Sequence, residues 1–187
     1  TAMAASSTPT ADVVEENGFQ FDKSTGTITD YTGNETGTLT IPSSIDGVTV
    51  TSIKAYALGS AKMKEVVIPN TIETLGFGVF QMCSSLEKVT FESGSKVTEL
   101  KDSMFYQCTK LKEVVFPENL KSIKVLAFYK CTSLETVTLP EGFTTLYNAA
   151  FLDCTNLKTV IVPDSLNHMV MNPFEGCTNL ETLSVPY

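Results

Sequence analysis

The sequence lacks the local signatures that mark common enzymes. It holds one histidine, His168, and no GxSxG, HExxH, phosphate loop or GxGxxG. A triad or dyad using histidine would have to be assembled at His168, with no nucleophile motif beside it. The sequence points to no enzyme and implies no cofactor. No apolar run approaches the ~20 residues that a membrane-spanning helix needs. Basic excess is missing as well: 13 Lys+Arg stand against 21 Asp+Glu, a net charge of -8 with a pI near 4.6. That balance argues against nucleic acid or an anionic membrane surface as partner. No CxxC pair suggests zinc or redox work. A complete signal peptide is also lacking. Thr1 to Asp12 is small, polar and Pro-containing, and reads as a linker or the remainder of a processed N-terminus. Ala2-Met3-Ala4 has the small-x-small form of a cleavage site, but no apolar stretch precedes it.

What the sequence does have is a repeat. LKEVVFPENLKSIKVLAFYKCTS from Leu111 aligns without a gap on LETVTLPEGFTTLYNAAFLDCTN from Leu134, 23 residues on each. Clear copies start at Met63, Leu86, Leu111, Leu134 and Leu157; a degenerate one precedes them from about Thr36, and a partial one follows at Leu180. A fixed period of this length is the signature of a solenoid. Only the Leu86 copy is longer among the clear ones, through Glu92-Ser93-Gly94-Ser95 in place of the proline turn. The 42% apolar content is ample for a core.

Numbered from its leucine, the consensus is L-x-x-V-x-I-P-x-x-L-x-x-L-x-x-x-A-F-x-x-C-T-x. In an extended strand alternate residues share a face, so positions 4 and 6 point into the core and position 5 points out. Proline at position 7 ends the strand because it cannot donate to a ladder. Positions 10 and 13 bring the chain back along the core. Phe at 18, Cys at 21 and the next Leu recur three apart, which suits one helical or 3₁₀ turn. The expected fold is a leucine-rich-repeat solenoid, mostly β within the α/β class. Short parallel strands line one face, and short helical or 3₁₀ turns line the other. Residues 13–36 do not fit the repeat. Phe19-Gln20-Phe21 and Thr27-Ile28-Thr29 alternate about a Gly-containing loop, predicting a hairpin that covers the first core layer. The expected domains are therefore 1–12 as linker, 13–36 as capping hairpin and 37–187 as the array.

The LxxVxIP start, the AFxxC turn and the 23-residue period resemble the BspA-like subclass of leucine-rich repeats, over roughly Gly37 to Tyr187. The resemblance implies bacterial or protist cell-surface and secreted proteins, some of them adhesins that hold host or matrix proteins. It carries over no catalytic residue, since the family motif contains none.

In such a stack each repeat position becomes a column. Cys83, Cys108, Cys131, Cys154 and Cys177, spaced 25, 23, 23 and 23, read as a buried column of free thiols. Their Cβ vectors would run parallel, which is poor geometry for a disulfide. Position 2 alternates in sign through Lys64, Glu87, Lys112, Glu135, Lys158 and Glu181, as cross-strand pairing favours. Position 5, with Val67, Thr90, Val115, Thr138 and Ile161, forms the flat middle of the exposed sheet. That strip, with Lys112, Glu135 and Lys158 beside it, is the candidate site for a protein or glycan ligand. The acidic column Glu118, Glu141 and Asp164 is either a solvated turn edge or a set of oxygen ligands for calcium. Tyr106, Tyr129 and Leu152 at position 19 form either an exposed patch or a half-buried stack. Asn34-Glu35-Thr36 is a glycosylation sequon, meaningful only in a secreted eukaryotic protein.

These features suit a secreted or surface-attached, adhesin-like protein whose exposed sheet grips a protein or glycan. The alternatives are a structural spacer of a larger surface protein, and an intracellular scaffold. The last copy stops at Pro186-Tyr187 with its core end uncapped, so the expectation there is self-association through that end or a chain that continues.

Overall fold

In the computed structural model, residues 12–184 are described. The features noted at Ala2-Met3-Ala4 and at Pro186-Tyr187 lie outside them. The chain begins with β1 (Val13–Glu16), β2 (Phe19–Asp22) and β3 (Thr27–Tyr31), an antiparallel meander rather than a single hairpin. The expected β2–β3 pair is there. The extra strand β1 turns back through Asn17 (φ 51°) and Gly18 (φ 82°), the conformation a two-residue hairpin loop requires. A Cβ on Gly18 would come within 2.7 Å of the Gly33 backbone, so the turn and its packing both call for glycine.

The first coil contributes β4 (Thr38–Thr40), a small hairpin of β5 (Ser44–Ile45) and β6 (Val48–Thr49), and β7 (Ser52–Ile53). Each following coil gives one strand within positions 3–6, and the coils from Met63 to Leu157 each add a two-residue strand at positions 12–13, or 14–15 in the longer Leu86 coil. In order these are β8 (Glu65–Ile68), β9 (Thr74–Leu75), β10 (Lys88–Phe91), β11 (Glu99–Leu100), β12 (Glu113–Val115) and β13 (Ser122–Ile123). Then come β14 (Thr136–Thr138), β15 (Thr145–Leu146), β16 (Thr159–Ile161), β17 (His168–Met169) and β18 (Thr182–Ser184). The first set stacks in parallel as β4-β8-β10-β12 and β14-β16-β18. Register is one coil per step, Val66 against Val89 and Val89 against Val114.

The second set makes another parallel ladder, β7-β9 and β11-β13-β15-β17, where the sequence suggested only a returning chain. The meander joins this side, through β3 beside β7. Phe19, Phe21 and Ile28 thereby enter the same core as Leu39 and Ile41, covering the first layer as expected of the cap.

The helical or 3₁₀ turn is corrected: the described residues contain no helix. Two tight turns follow one another instead. In the Leu111 coil, Tyr129 N–H donates to the Leu126 carbonyl and Cys131 N–H to Phe128, both at 3.1 Å. Between these local bonds, alternate N–H groups reach the next coil: Phe128 to the Ala150 carbonyl at 2.8 Å and Lys130 to Leu152 at 2.9 Å. A helix would aim all its N–H groups along its own axis. Sending alternate ones across to a neighbour requires left-handed residues, and Leu126, Lys130, Ala149 and Asp153 have φ between 53° and 58°. The stacked neighbour holds them there against local preference.

Leucines, phenylalanines and cysteines fill one continuous core. Phe105, Phe128 and Phe151 stack ring upon ring, with centroids 5.1 and 4.8 Å apart. Each cysteine thiol donates to the carbonyl of the core aromatic or leucine one coil back: Cys83 to Leu58, Cys108 to Phe80, Cys131 to Phe105, Cys154 to Phe128 and Cys177 to Phe151, at 3.0–3.2 Å. All five are free, and four are buried with Cys177 half-buried.

Candidate recognition surface

The sheet of β4, β8, β10, β12, β14, β16 and β18 has a buried face and a solvent face, because positions 4 and 6 turn inward. Position 5 lies on the solvent face. Thr90 sits directly between Val67 and Val115, and Thr138 is opposite Ile161. Val67, Thr90 and Ile161 are half-buried by their neighbours, whereas Thr138 and Val115 are exposed, Val115 by 42%. No aromatic ring occupies position 3 or 5 of any described strand.

The charged flank is paired two by two. Lys112 meets Glu87 at 2.7 Å, Lys158 meets Glu135 at 2.9 Å, and Lys88 meets Glu113 at 2.9 Å. The hydrogen bond from Lys112 holds the Glu87 carboxyl below the usual carboxylate range. Along position 2 the alternation closes two ion pairs, Lys112 with Glu87 and Lys158 with Glu135, while Lys112 and Glu135 on adjacent coils form none. The same step separates Val115 from Thr138, since β12 and β14 belong to different ladders. The strip that reads as continuous in the sequence is split here by a seam.

Tyr106 and Tyr129 form a half-buried stack, with centroids 4.6 Å apart and Lys130 over Tyr129 at 5.1 Å. Glu118 accepts a bond from Ser93 Oγ at 3.4 Å, and no group of three or more ligating side chains that could hold a metal occurs among the described residues. Asn34 lies in the exposed segment between β3 and β4.

On the lateral ladder Glu99 is clamped by Lys101 and by Lys124, the latter at 3.3 Å, and Lys124 also lies 4.1 Å over Tyr147. The hydrogen bond from Lys101 leads in lowering the Glu99 pKa below its ordinary value. A depressed folded value means the stabilisation is complete above the ordinary glutamate pKa, about 4.3, and is lost as pH falls through the folded value. Glu99→Gln should therefore flatten the acid limb of thermal stability below about pH 4. Because the pair is largely solvated, the difference should stay under about 1 kcal/mol. Parallel melting curves of the two proteins across that range check it.

Two features escaped the sequence reading. Tyr56 and Phe77 meet edge to face at 4.9 Å and, with Met82, are each about half exposed on the turn side. The run Gly76-Phe77-Gly78 carried a hint, since a Cβ on Gly78 would strike the Tyr56 ring at 2.5 Å. At the other end, a cavity of about 410 Å³ opens among Val162, Leu166, His168, Met169 and Leu183, with Asp164 at its edge.

The BspA type leucine rich repeat region matches the chain in six copies over residues 17–124 and 51–181. No curated protein matches it. Among solved structures, a leucine rich cell surface protein from Faecalibacterium prausnitzii superposes with a TM-score of 0.72 at 25% identity, covering 92% of this chain and 54% of that one. A leucine-rich repeat protein from Bacteroides ovatus gives 0.66 at 30% identity, over 77% of this chain and 36% of that one. The pneumococcal vaccine antigen PcpA, at 20% identity, shares the fold with a TM-score of 0.73 over 92% of this chain and 48% of its own. The chain thus spans from about a third to just over half the length of these proteins. With the repeat matched across residues 17–181, the chain belongs to the BspA-type leucine-rich repeat family.

Proposed function

We propose that the chain is a non-enzymatic recognition module, cell-surface or secreted and adhesin-like, that holds a protein or glycan ligand on its exposed parallel sheet. The observation that carries this reading is the register of the position 5 strip: Val67, Thr90 and Val115 side by side on one face, with ion pairs along the flank and Val115 open to solvent. A moderately apolar centre with a charged rim is the common anatomy of a protein interface. The description of the Faecalibacterium prausnitzii neighbour as a cell surface protein supports the location. A second reading, a spacer within a larger surface protein, draws support from the greater length of the solved neighbours.

Charged substitutions separate the two. Val67→Asp, Val115→Asp and Ile161→Asp together should lower capture on a matrix-protein and glycan array at least tenfold, about 1.4 kcal/mol or more. The far-ultraviolet circular dichroism should stay that of the parent, because these side chains face solvent. Undiminished capture by a folded triple variant would remove the strip from consideration and leave the spacer.

A further inference from the structure

Position 2 alternates in sign without a break from Lys64 to Glu181, as one unbroken ladder would need, yet the ladder is broken between Lys112 and Glu135. At every other junction on the sheet the backbone closes in one pattern. Lys64 N–H donates to the Gly37 carbonyl at 2.9 Å, Glu87 to Lys64 at 2.6 Å, Lys112 to Glu87 at 2.9 Å, Lys158 to Glu135 at 2.9 Å and Glu181 to Lys158 at 2.9 Å. Among the described residues the bond from Glu135 to Lys112 is missing, and so is that from Phe116 to Thr138, whose counterpart runs from Leu139 to Ile161 at 2.9 Å.

Burial marks the same place independently. On the other interior strands Val66, Val89, Val137 and Val160 at position 4 are no more than 2% exposed, and Ile68, Phe91, Leu139 and Val162 at position 6 no more than 5%. Val114 and Phe116 on β12, which hold those two positions, are only partly buried. The core-facing side of β12 therefore still has apolar surface to bury.

Away from the sheet the two coils stay joined. Ser122 lies opposite Thr145, Phe128 and Lys130 donate to Ala150 and Leu152 at 2.8 and 2.9 Å, and the Cys154 thiol donates to the Phe128 carbonyl at 3.0 Å. The corner between these sides is loose as well, since Leu126 makes no counterpart of the 3.1 Å bond from Ser103 to Val125. Two blocks thus meet along joined sides with an open sheet edge between them, which is the construction of a hinge.

We propose that the junction between β12 and β14 is a hinge, at which the exposed sheet passes between the parted arrangement and a closed one. In the closed arrangement Val114 lies opposite Val137 and Val115 opposite Thr138, the one-coil register of every other step. Closure makes the missing backbone bonds, buries Val114 and Phe116, and sets Lys112 between Glu87 and Glu135. On the reading that the sheet is the recognition face, a ligand reaching from Val115 to Thr138 holds one arrangement and shifts the balance by its preference for it.

The test needs no ligand. Relaxation dispersion on the isotope-labelled 187-residue chain should show one common microsecond-to-millisecond process at the Val114 methyls and the Phe116, Glu135 and Thr136 amides, with flat profiles at Val89, Val160 and Thr159. Glu135→Lys opposes Lys112 with a like charge and should lower the closed population about twofold or more, with the circular dichroism of the parent. Flat profiles on β12 and β14, rates that differ from residue to residue, or a closed population indifferent to Glu135→Lys would each overturn the hinge. A junction without exchange beside a binding-defective triple variant removes only the hinge; exchange beside a triple variant with full capture removes only the recognition reading.

Discussion

Phe128→Ala should destabilise the chain by about 3–5 kcal/mol, the range for emptying a fully buried aromatic site. The Phe128 ring is parallel to Phe151 within 7° at 4.8 Å, tilted on Phe105 at 5.1 Å and edge-on to Phe116 at 6.1 Å. Its removal opens a void shared by three coils, and the cross-coil turn ladder on either side keeps them from collapsing into it. In a solenoid each coil is stabilised by its neighbours, so an interior defect weakens two interfaces together. Urea unfolding should accordingly lose its single transition, with the coils after Leu134 melting first. Phe174 offers the control. It is half-buried and, among the described residues, meets one stacked ring, Phe151 at 5.6 Å, so Phe174→Ala should cost less than half as much. Equal losses at the two positions would mean that the column does not transmit stability along the array.

Thiol chemistry should divide the cysteines sharply. In the native chain only Cys177, the half-buried member of the column, should react promptly with an alkylating reagent, and all five should react in denaturant. Burial pushes the Cys108 and Cys131 thiols up, away from the reactive thiolate. Of the terminal pair, Cys177 is the more acidic, held so by the Cys154 thiol beside it. Exposure of the interior thiols requires coils to separate, at an opening cost of roughly 5 kcal/mol, which slows them by about a thousandfold or more. Mass spectrometry of alkylated tryptic peptides over time reads this directly. Prompt modification of Cys131 in a folded chain would contradict the buried column. So would a disulfide between successive cysteines, because each thiol already donates to a backbone carbonyl of the coil before it.

The columns were legible because they follow from counting. Once a 23-residue period is accepted, Phe105, Phe128 and Phe151 must stack, Lys112 must lie one strand from Glu87, and the cysteines must line up. Alternation within VxI then assigns the buried and open faces, since a strand has period two. The cap was half legible: the Gly-containing loop between Phe21 and Thr27 announces the β2–β3 pair, whereas β1 is announced by Asn17-Gly18, a short-range hairpin signal of the same rank as Asp46-Gly47 between β5 and β6.

The turn shows where counting stops. Phe, Cys and Leu three apart suit a helical turn and a pair of stacked tight turns equally well. What separates the two is the destination of alternate N–H groups, and the next coil supplies it. The lateral ladder was hidden for a related reason: strands of two residues, such as Thr74–Leu75, are too short to show a period. The seam was hidden as well: that β12 and β14 belong to different ladders depends on how two coils sit together, and no repeat position registers that. The sequence by itself thus determined which residues share a column and which face each column takes, because those follow from local periodicity. Only the tertiary structure decided which backbone groups of adjacent coils meet, because a hydrogen bond between coils depends on two segments 23 residues apart and on the packing that sets their distance.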